Sequence, residues 1–355
     1  MAGGSNSNFW PLSRSMRPKP FMDVLDQGNT LIQACYRRCR KLVPSENIIV
    51  VTHENYAALA LEQMPDIPPR NILAEPYSKK TAPCIALATY EILRRDPEAV
   101  IVVTPADIVI LEEGVFVSVI GKALDYVQHN DVLMTIGIPP TRPDTNYGYI
   151  QVEGGADTIE KEVPVKVRTF TEKPPEGLAE VFWRSGEFLW NSGIFVWKGQ
   201  IIREEMESYI PEITGLFYGW QEALGSDGQK EFLDRVYADC DTQSIDYGVM
   251  EKTSRAWVMP ADLNWADVNS WQSLYKNYPY KDECGNIVAP EKGYIRSSRD
   301  NVLLATNPEK LLAIKGLNGF LVVDTDDVLL ICPKDDREFK EFIAGIGMPG
   351  YEKYR

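Results

Sequence analysis

Between residues 47 and 104 the apolar positions fall into short unbroken runs, separated by stretches with helical spacing. Ile48-Ile49-Val50-Val51 and Val100-Ile101-Val102-Val103 read as continuous apolar strands, and Asn71-Ile72-Leu73-Ala74 as a shorter one. Between them, Glu54 to Gln63 and Thr81 to Arg95 read as helices. In the second helix Cys84, Ala88 and Ile92 recur every four residues, which lays one face on a sheet. Thr81 is the expected N-cap, with Pro83 in the first turn. Buried strands alternating with helices predict βαβ units and a mostly parallel sheet.

Further along, 131–138, 147–152, 165–171 and 188–197 carry strand composition, and helical pieces follow near 200–208, 228–237 and 244–252. Beyond Tyr275 the texture changes: short apolar segments at 302–304, 311–314, 320–323 and 328–331 alternate with turns, and 335–344 fits a closing helix. The pattern predicts a Rossmann-like α/β domain over 1–275, its mixed, mostly parallel sheet flanked by helices, and a small C-terminal β-rich domain over 285–355. A chain of 355 residues is long enough for both.

Composition narrows the function. With 37 Lys+Arg against 51 Asp+Glu the net charge is −14, which argues against a nucleic acid polymer or a membrane as partner, since both need a basic face. A small basic pocket for a nucleotide stays open. No apolar run reaches the ~18 residues of a membrane helix, and the first residues show neither a charged n-region nor an apolar h-region. Ala2 removes the myristoylation reading. Six scattered cysteines without a C-x-x-C pair read as buried thiols, and a cytoplasmic protein is expected. Two histidines, His53 and His129, argue against a histidine zinc site or a Ser-His-Asp triad. No G-x-S-x-G or G-x-G-x-x-G occurs, and Gly121-Lys122-Ala123 lacks the upstream Gly and the Ser/Thr of a P-loop.

Five stretches carry candidate chemistry. Ala2 to Arg14 opens with small, turn-forming residues whose backbone N–H groups can approach a phosphate, and Arg14, Arg17 and Lys19 follow; a flexible tail reads equally well. Thr104-Pro105-Ala106-Asp107 ends a buried strand, where a carboxylate suits Mg²⁺ or, more often, caps a turn. In Phe170-Thr171-Glu172-Lys173-Pro174 the Glu can accept from hydroxyls and the Lys can meet a phosphate, or the two form a surface ion pair. Trp190-Asn191-Ser192-Gly193 sets a polar triplet inside an apolar strand, to bind something or to bulge. Trp265-Ala266-Asp267-Val268-Asn269-Ser270-Trp271 frames an Asp between two Trp, as a site or as a helix cap.

Together these stretches resemble the motifs of the sugar-1-phosphate nucleotidyltransferases, and most closely the mannose-1-phosphate guanylyltransferases. That family reads A-G-G-x-G-T-R-x-W-P-L-S-R, E-P-x-x-R-N-T-A-P-A-I, P-S-D-H, P-T-x-P-E-T-G-Y-G-Y-I, F-x-E-K-P, W-N-S-G, S-I-D-Y-x-V-M-E-K and W-x-D-V-G-S-W. Here Glu75-Pro76 with Thr81-Ala82-Pro83-Cys84-Ile85, the run from Pro140 to Ile150, and Ser244-Ile245-Asp246-Tyr247-Gly248-Val249-Met250-Glu251-Lys252 match in order. The resemblance implies the nucleotidyltransferase fold over 1–275. It also implies transfer of GMP from GTP to mannose-1-phosphate, giving GDP-mannose and pyrophosphate, with Mg²⁺ as cofactor. It places Lys19, Arg14 and Asp107 in catalysis and Gly3, Gly4, Ser5, Glu75, Thr81, Ala82 and Pro83 around the nucleotide. Gly148, Glu172, Lys173 and Asn191 fall on the sugar phosphate, and Asp107 and Asp267 on the metal. GTP and mannose-1-phosphate are the expected partners, and a homodimer is left open.

The chain departs from the pattern inside its motifs. Asn8 stands where the family has the Arg of G-T-R, Lys79-Lys80 replaces Arg-Asn, and Ala106-Asp107-Ile108 replaces Ser-Asp-His. Asn6, Asn146 and Asn269 replace glycines, so at least two of them are expected at positive φ, which Asn tolerates best after Gly. Asn cannot neutralise phosphate charge as Arg does, which supports an alternative: a catalytically weak relative acting as a nucleotide-sugar-binding or regulatory subunit. The family also carries an apolar strand before A-G-G, where only Met1 stands here. The slot beside the Val100–Val103 strand is therefore expected to be empty or filled by another segment.

Overall fold

A computed structural model describes residues 1–3, 7–159, 163–266, 268–289, 293–334, 338–346 and 350–354. The chain divides into two compact units. One comprises Met1–Gly3, Tyr36–Ala106 and Ile110–Trp265, the other Gly4–Cys35, Asp107–Val109 and Ala266–Arg355. The division is thus not linear in sequence: the segment from Gly4 to Cys35 belongs with the C-terminal residues.

In the first unit β1 (Val50–His53) and β2 (Ile72–Glu75) pair in parallel, as a βαβ reading requires. A six-stranded sheet contains β3 (Val100–Val103), β4 (Leu133–Ile138), β5 (Tyr149–Val152), β6 (Val165–Thr171), β7 (Phe188–Lys198) and β8 (Ala256–Pro260). Its order is β3-β7-β4-β8-β6-β5, with β7 also pairing with β5. The mixed α/β class holds, but the expected parallel majority does not. Among the described residues only β4–β8 is parallel in this sheet, and the other pairings are antiparallel. The apolar runs report burial of both faces, which an antiparallel strand under helices satisfies equally well.

Helix α1 (Thr81–Arg95) has the predicted bounds, but Thr81 is its first helical residue and not its cap. Lys80 holds the N-cap position at φ 65° without a side-chain bond. Helix α2 (Glu113–His129) was not anticipated, although Phe116, Ile120, Ala123 and Val127 line its buried face at helical spacing. Helices α3 (Gly199–Tyr209) and α4 (Gln229–Asp239) follow, and the helix expected at 244–252 is a π-helical turn, Asp246–Met250. Trp197, Phe195, Tyr90, Ile202, Phe217 and Tyr237 are fully buried in the core between these layers.

In the second unit β9 (Ile287–Ala289), β11 (Val302–Ala305) and β13 (Phe320–Asp324) stack in parallel, and β14 (Leu329–Pro333) closes the sheet antiparallel to β13. Two further strands, β10 (Gly293–Arg296) and β12 (Leu312–Lys315), pair beside them. The β-rich texture and a closing helix, α5 (Phe339–Ile346), follow the sequence reading. Its core joins Ile287, Val302 and Leu321 to Phe9, Leu25 and Trp271, which explains why the N-terminal segment belongs to this unit.

The slot beside β3 bears on stability. The Met1 amine donates to Thr104 O at 2.9 Å and Ala106 N donates to Met1 O at 2.8 Å. Ala2 N donates to Val51 O at 2.8 Å, so the first two residues bridge the facing edges of β1 and β3. Beyond them the edges enclose an apolar groove of about 350 Å³ lined by Ile49, Val51, Ile85, Ala88, Ile101 and Val103. Among the described residues no strand occupies it. Six apolar residues added ahead of Met1 are expected to pair with both edges and raise the melting temperature by at least ~2 °C, the equivalent of about 1 kcal/mol or less. Equal melting temperatures in differential scanning calorimetry would show that the added strand is dispensable.

Candidate active site

The first unit gathers a polar cluster where the start of β5 and the end of β6 meet the bulged part of β7. Tyr149 pairs with Thr171 on one side and Trp190 on the other, both antiparallel, so Gly148, Glu172 and Asn191 come level one step further on. Asn191 N donates to Gly148 O at 2.8 Å, which fixes that alignment. Gly148 lies in the middle. A Cβ there would fall 2.4 Å from Glu172 Oε2 and 3.4 Å from Asn191 Cβ, so only glycine lets the carboxylate lie across this strand end.

Glu172 forms a 2.9 Å ion pair with Lys173, whose backbone sits at φ 46°. Burial works to lower the Lys173 ammonium, but the hydrogen bond and charge of Glu172 prevail and hold it above its ordinary value. Glu172 N donates to Glu251 Oε1 at 3.1 Å. The polar triplet is a bulge whose groups are satisfied from within. Asn191 Oδ1 accepts from Thr135 Oγ1 at 3.0 Å and Gly193 N at 3.2 Å, while Ser192 Oγ donates to Ile136 O at 2.7 Å. Asn191 Nδ2 donates to Asp246 Oδ1 at 2.9 Å. Burial, helped by the nearby charge of Glu172, pushes the Asp246 carboxyl up to about 7, against the pull of Asn191 and Lys173.

Three residues of this cluster, Thr135, Asp246 and Glu251, were not assigned from sequence. Asp246 and Glu251 stand in the S-I-D-Y-x-V-M-E-K stretch that carries the family resemblance, which is the available signal; nothing in the sequence marks Thr135.

Glu75, at the end of β2, is buried and accepts from Tyr237 Oη at 2.9 Å. Gly3 lies beside it, where a Cβ would stand 4.0 Å from Glu75 Oε2. Thr81 is half-buried and its hydroxyl accepts from Ile245 N at 2.9 Å, while Ala82 and Pro83 lie in the core. Ala82 N donates to Gln243 O at 3.0 Å.

The second unit holds the predicted cation and carboxylate. Lys19 lies in a short turn, Lys19–Phe21, with a proline on either side; its side chain is fully buried and pairs with Asp107 Oδ2 at 3.1 Å. A buried ammonium needs such a partner. Asp107 is half-exposed, and among the described residues no group donates to its Oδ1. Gly4, Ser5 and Asp267 lie outside the described residues.

Arg14 does not fit the catalytic place expected for it. Its Nε donates to Pro11 O, and its two terminal nitrogens donate to Tyr354 O, Thr325 Oγ1 and both carboxylate oxygens of Asp327. All five donors of the guanidinium are committed within the unit, which leaves none for a phosphate. Asn8 Nδ2 donates to Asn269 O at 2.7 Å. Neither Asn146 nor Asn269 has positive φ, and Asn6 lies outside the described residues, so the expectation of two left-handed asparagines fails. Asn146 instead closes a local turn, its backbone and side-chain N–H groups both donating to Asp144 Oδ1 at 3.0 Å.

The profile of the nucleotidyl transferase family matches residues 1–282. The chain is 33% identical to the mannose-1-phosphate guanylyltransferase of Klebsiella pneumoniae in an alignment spanning all of this chain and 75% of that protein. It is 33% identical to the alginate biosynthesis protein AlgA of Pseudomonas syringae, over 99% of this chain and 71% of that one. Among solved structures it superposes on a mannose-1-phosphate geranyltransferase from Thermus thermophilus with a TM-score of 0.84, 29% identity and 98% coverage of both chains.

The buried Glu75 makes a prediction that needs no substrate. Burial raises its carboxyl from an ordinary 4.5 to about 7, against the opposing pull of Tyr237 and the Met1 amine. The folded chain therefore holds this proton more tightly than the unfolded chain does. The contribution to stability is complete below about 4.5 and is lost as pH rises to about 7, at up to ~1.4 kcal/mol per pH unit. Urea unfolding at intervals between pH 4.5 and 8 is expected to show that slope flattened in Glu75→Gln, with the two chains diverging most above pH 7.

Proposed function

The chain belongs to the nucleotidyl transferase family, in its mannose-1-phosphate guanylyltransferase branch, and on that premise we propose that it transfers GMP from GTP to mannose-1-phosphate. A phosphate oxygen of mannose-1-phosphate attacks the α-phosphorus of GTP. The bond from that phosphorus to the β-phosphate bridging oxygen breaks, and pyrophosphate leaves as GDP-mannose forms. No side chain becomes covalently attached, so the protein contributes position and charge compensation.

The Gly148–Glu172–Lys173–Asn191 cluster carries this reading. It offers a carboxylate acceptor, an amide donor and an ammonium around Gly148, the groups that hydroxyls and a phosphate of one small sugar phosphate require. Glu172 and Asn191 hold mannose hydroxyls, Gly148 makes room for them, and Lys173 meets the sugar phosphate. Gly3, Gly4 and Ser5 follow the nucleotide phosphates, and Glu75, Thr81, Ala82 and Pro83 border the nucleotide. Lys19 is the cation for the triphosphate. Arg14 takes no part, because its donors are spent on Pro11, Thr325, Asp327 and Tyr354. The catalytic domain is assigned to 1–275 and the small β-rich domain to 285–355.

Asp107 fits a divalent cation such as Mg²⁺: it is a hard oxygen donor, partly exposed, with Oδ1 uncommitted among the described residues. Asp267 is its proposed companion by motif. Bound there, Mg²⁺ would offset charge on the phosphates.

Asn8 favours the second reading, a weak or non-catalytic relative, because its amide is engaged with Asn269 O and supplies no positive charge. A coupled pyrophosphate-release assay across the four nucleoside triphosphates, with mannose-1-phosphate and glucose-1-phosphate, separates the two. Turnover is expected with GTP and mannose-1-phosphate; binding without release for every pair supports the second reading.

Gly148→Ala tests the cluster itself. The added methyl must displace the Glu172 carboxylate, so KM for mannose-1-phosphate is expected to rise about tenfold or more, in line with ~1.5–3 kcal/mol for a hydrogen bond to a charged group. KM for GTP is expected to hold. An unchanged KM for the sugar phosphate would remove Glu172 from the sugar site.

A further inference from the structure

Asn191 has a nearly full set of partners. Its Oδ1 has two lone pairs and accepts twice, from Thr135 Oγ1 at 3.0 Å and Gly193 N at 3.2 Å. One Nδ2 hydrogen goes to Asp246 Oδ1 at 2.9 Å, which leaves one N–H. These partners differ in how firmly they orient the amide. The Thr135 hydroxyl has one hydrogen and two acceptors in reach, Asn191 Oδ1 and Ile194 O at 3.2 Å, and when it donates to Ile194 it can accept from an N–H, so it does not choose between the two faces. The Gly193 N–H chooses, but over the longest of the three distances. Asp246 Oδ1 accepts from Nδ2 over the shortest distance, at a half-buried place. Among the described residues no other side chain donates to Asp246.

We infer that Asp246 is a positioning residue for the sugar: it holds the Asn191 amide in one orientation, so that Asn191 meets mannose-1-phosphate with a single N–H donor beside the acceptor Glu172. This rests on the proposed role of Asn191 as a sugar ligand. The consequence is a site with one fixed donor and one fixed acceptor on either side of Gly148, which distinguishes hydroxyl arrangements better than a freely turning amide can. The backbone supports the same role. Asp246 opens a π-helical turn, and the preceding Ile245 N donates to Thr81 Oγ1 at 2.9 Å, so the carboxylate approaches Asn191 from a segment anchored to the start of α1.

The test is steady-state kinetics of pyrophosphate release with GTP and mannose-1-phosphate. Asp246→Ala is expected to raise KM for mannose-1-phosphate about tenfold, with kcat and KM for GTP within about threefold of wild type, the pattern of lost uniform binding. Asp246→Asn, whose amide oxygen can still accept from Asn191, is expected to stay within about threefold in every parameter. In an Asn191→Ala background, Asp246→Ala is expected to add less than about twofold, because the group it orients is gone. Asp246→Ser, with a hydroxyl too short to reach Asn191, is expected to behave as Asp246→Ala does and serves if the alanine variant does not fold. The inference is overturned if Asp246→Ala or Asp246→Ser leaves KM unchanged, or if the tenfold effect persists without Asn191. If the wild-type chain releases no pyrophosphate, the functional reading fails and takes the inference with it; if wild type turns over and the Asp246 variants match it, the inference alone fails.

Discussion

The polar cluster of the first unit depends on one missing side chain. Antiparallel pairing brings positions 148, 172 and 191 level, with 148 in the middle. Any Cβ at that position would occupy the place of the Glu172 carboxylate. With glycine there, Glu172 lies inward at 10% side-chain exposure, where an unpaired charge would be costly, and Lys173 answers it. Lys173 makes this pair from φ 46°, a conformation that costs a non-glycine residue on the order of 1–3 kcal/mol. The ion pair and the bond from Glu172 N to Glu251 offset that strain.

The two cations expected to serve phosphates illustrate how environment decides between structure and chemistry. Arg14 and Lys19 stand five positions apart and both came from one basic stretch. Arg14 has a planar fork that matches acceptors in several directions, and the second unit supplies them from Pro11, Thr325, Asp327 and Tyr354. It ties the N-terminal segment to the turn between β13 and β14 and to Tyr354. Lys19 carries a compact charge that is buried along with its stem, and it pairs with Asp107, the residue proposed for the metal.

Much of the fold was legible where local pattern suffices. Helix α1 is marked by the four-residue recurrence of Cys84, Ala88 and Ile92 and by the polar residues at both ends, and its bounds were read correctly. Helix α2 carried an equally regular buried face and was passed over. Strand direction was not legible, because a run such as Val100 to Val103 looks the same whether its neighbour is parallel or antiparallel. The eleven-residue strand β7 pairs antiparallel with β3, β4 and β5 through residues distant in sequence. The cluster residues Gly148, Glu172, Lys173 and Asn191 were legible through the family resemblance. The motif around Asp246 was visible as well, but its bond to Asn191 was not, since it spans 55 positions and no local spacing announces it. The asparagines that replace family glycines misled for a related reason. A glycine can be required by φ or by space, and the sequence shows only that the residue is small.

The segment from Gln243 to Asp246 joins features that were read separately. Gln243 N donates to Lys79 O, Ala82 N donates to Gln243 O, and Ile245 N donates to the Thr81 hydroxyl. One residue later Asp246 accepts from Asn191. Four consecutive residues therefore hold both the first turn of α1, proposed to border the nucleotide, and the amide proposed to meet the sugar. Lys80 at φ 65° belongs to the same constraint: an ordinary N-cap conformation there would redirect Lys79 O and Ala82 N, the two groups that Gln243 engages. One short stretch of chain thus contacts both the strained turn before α1 and the amide of Asn191.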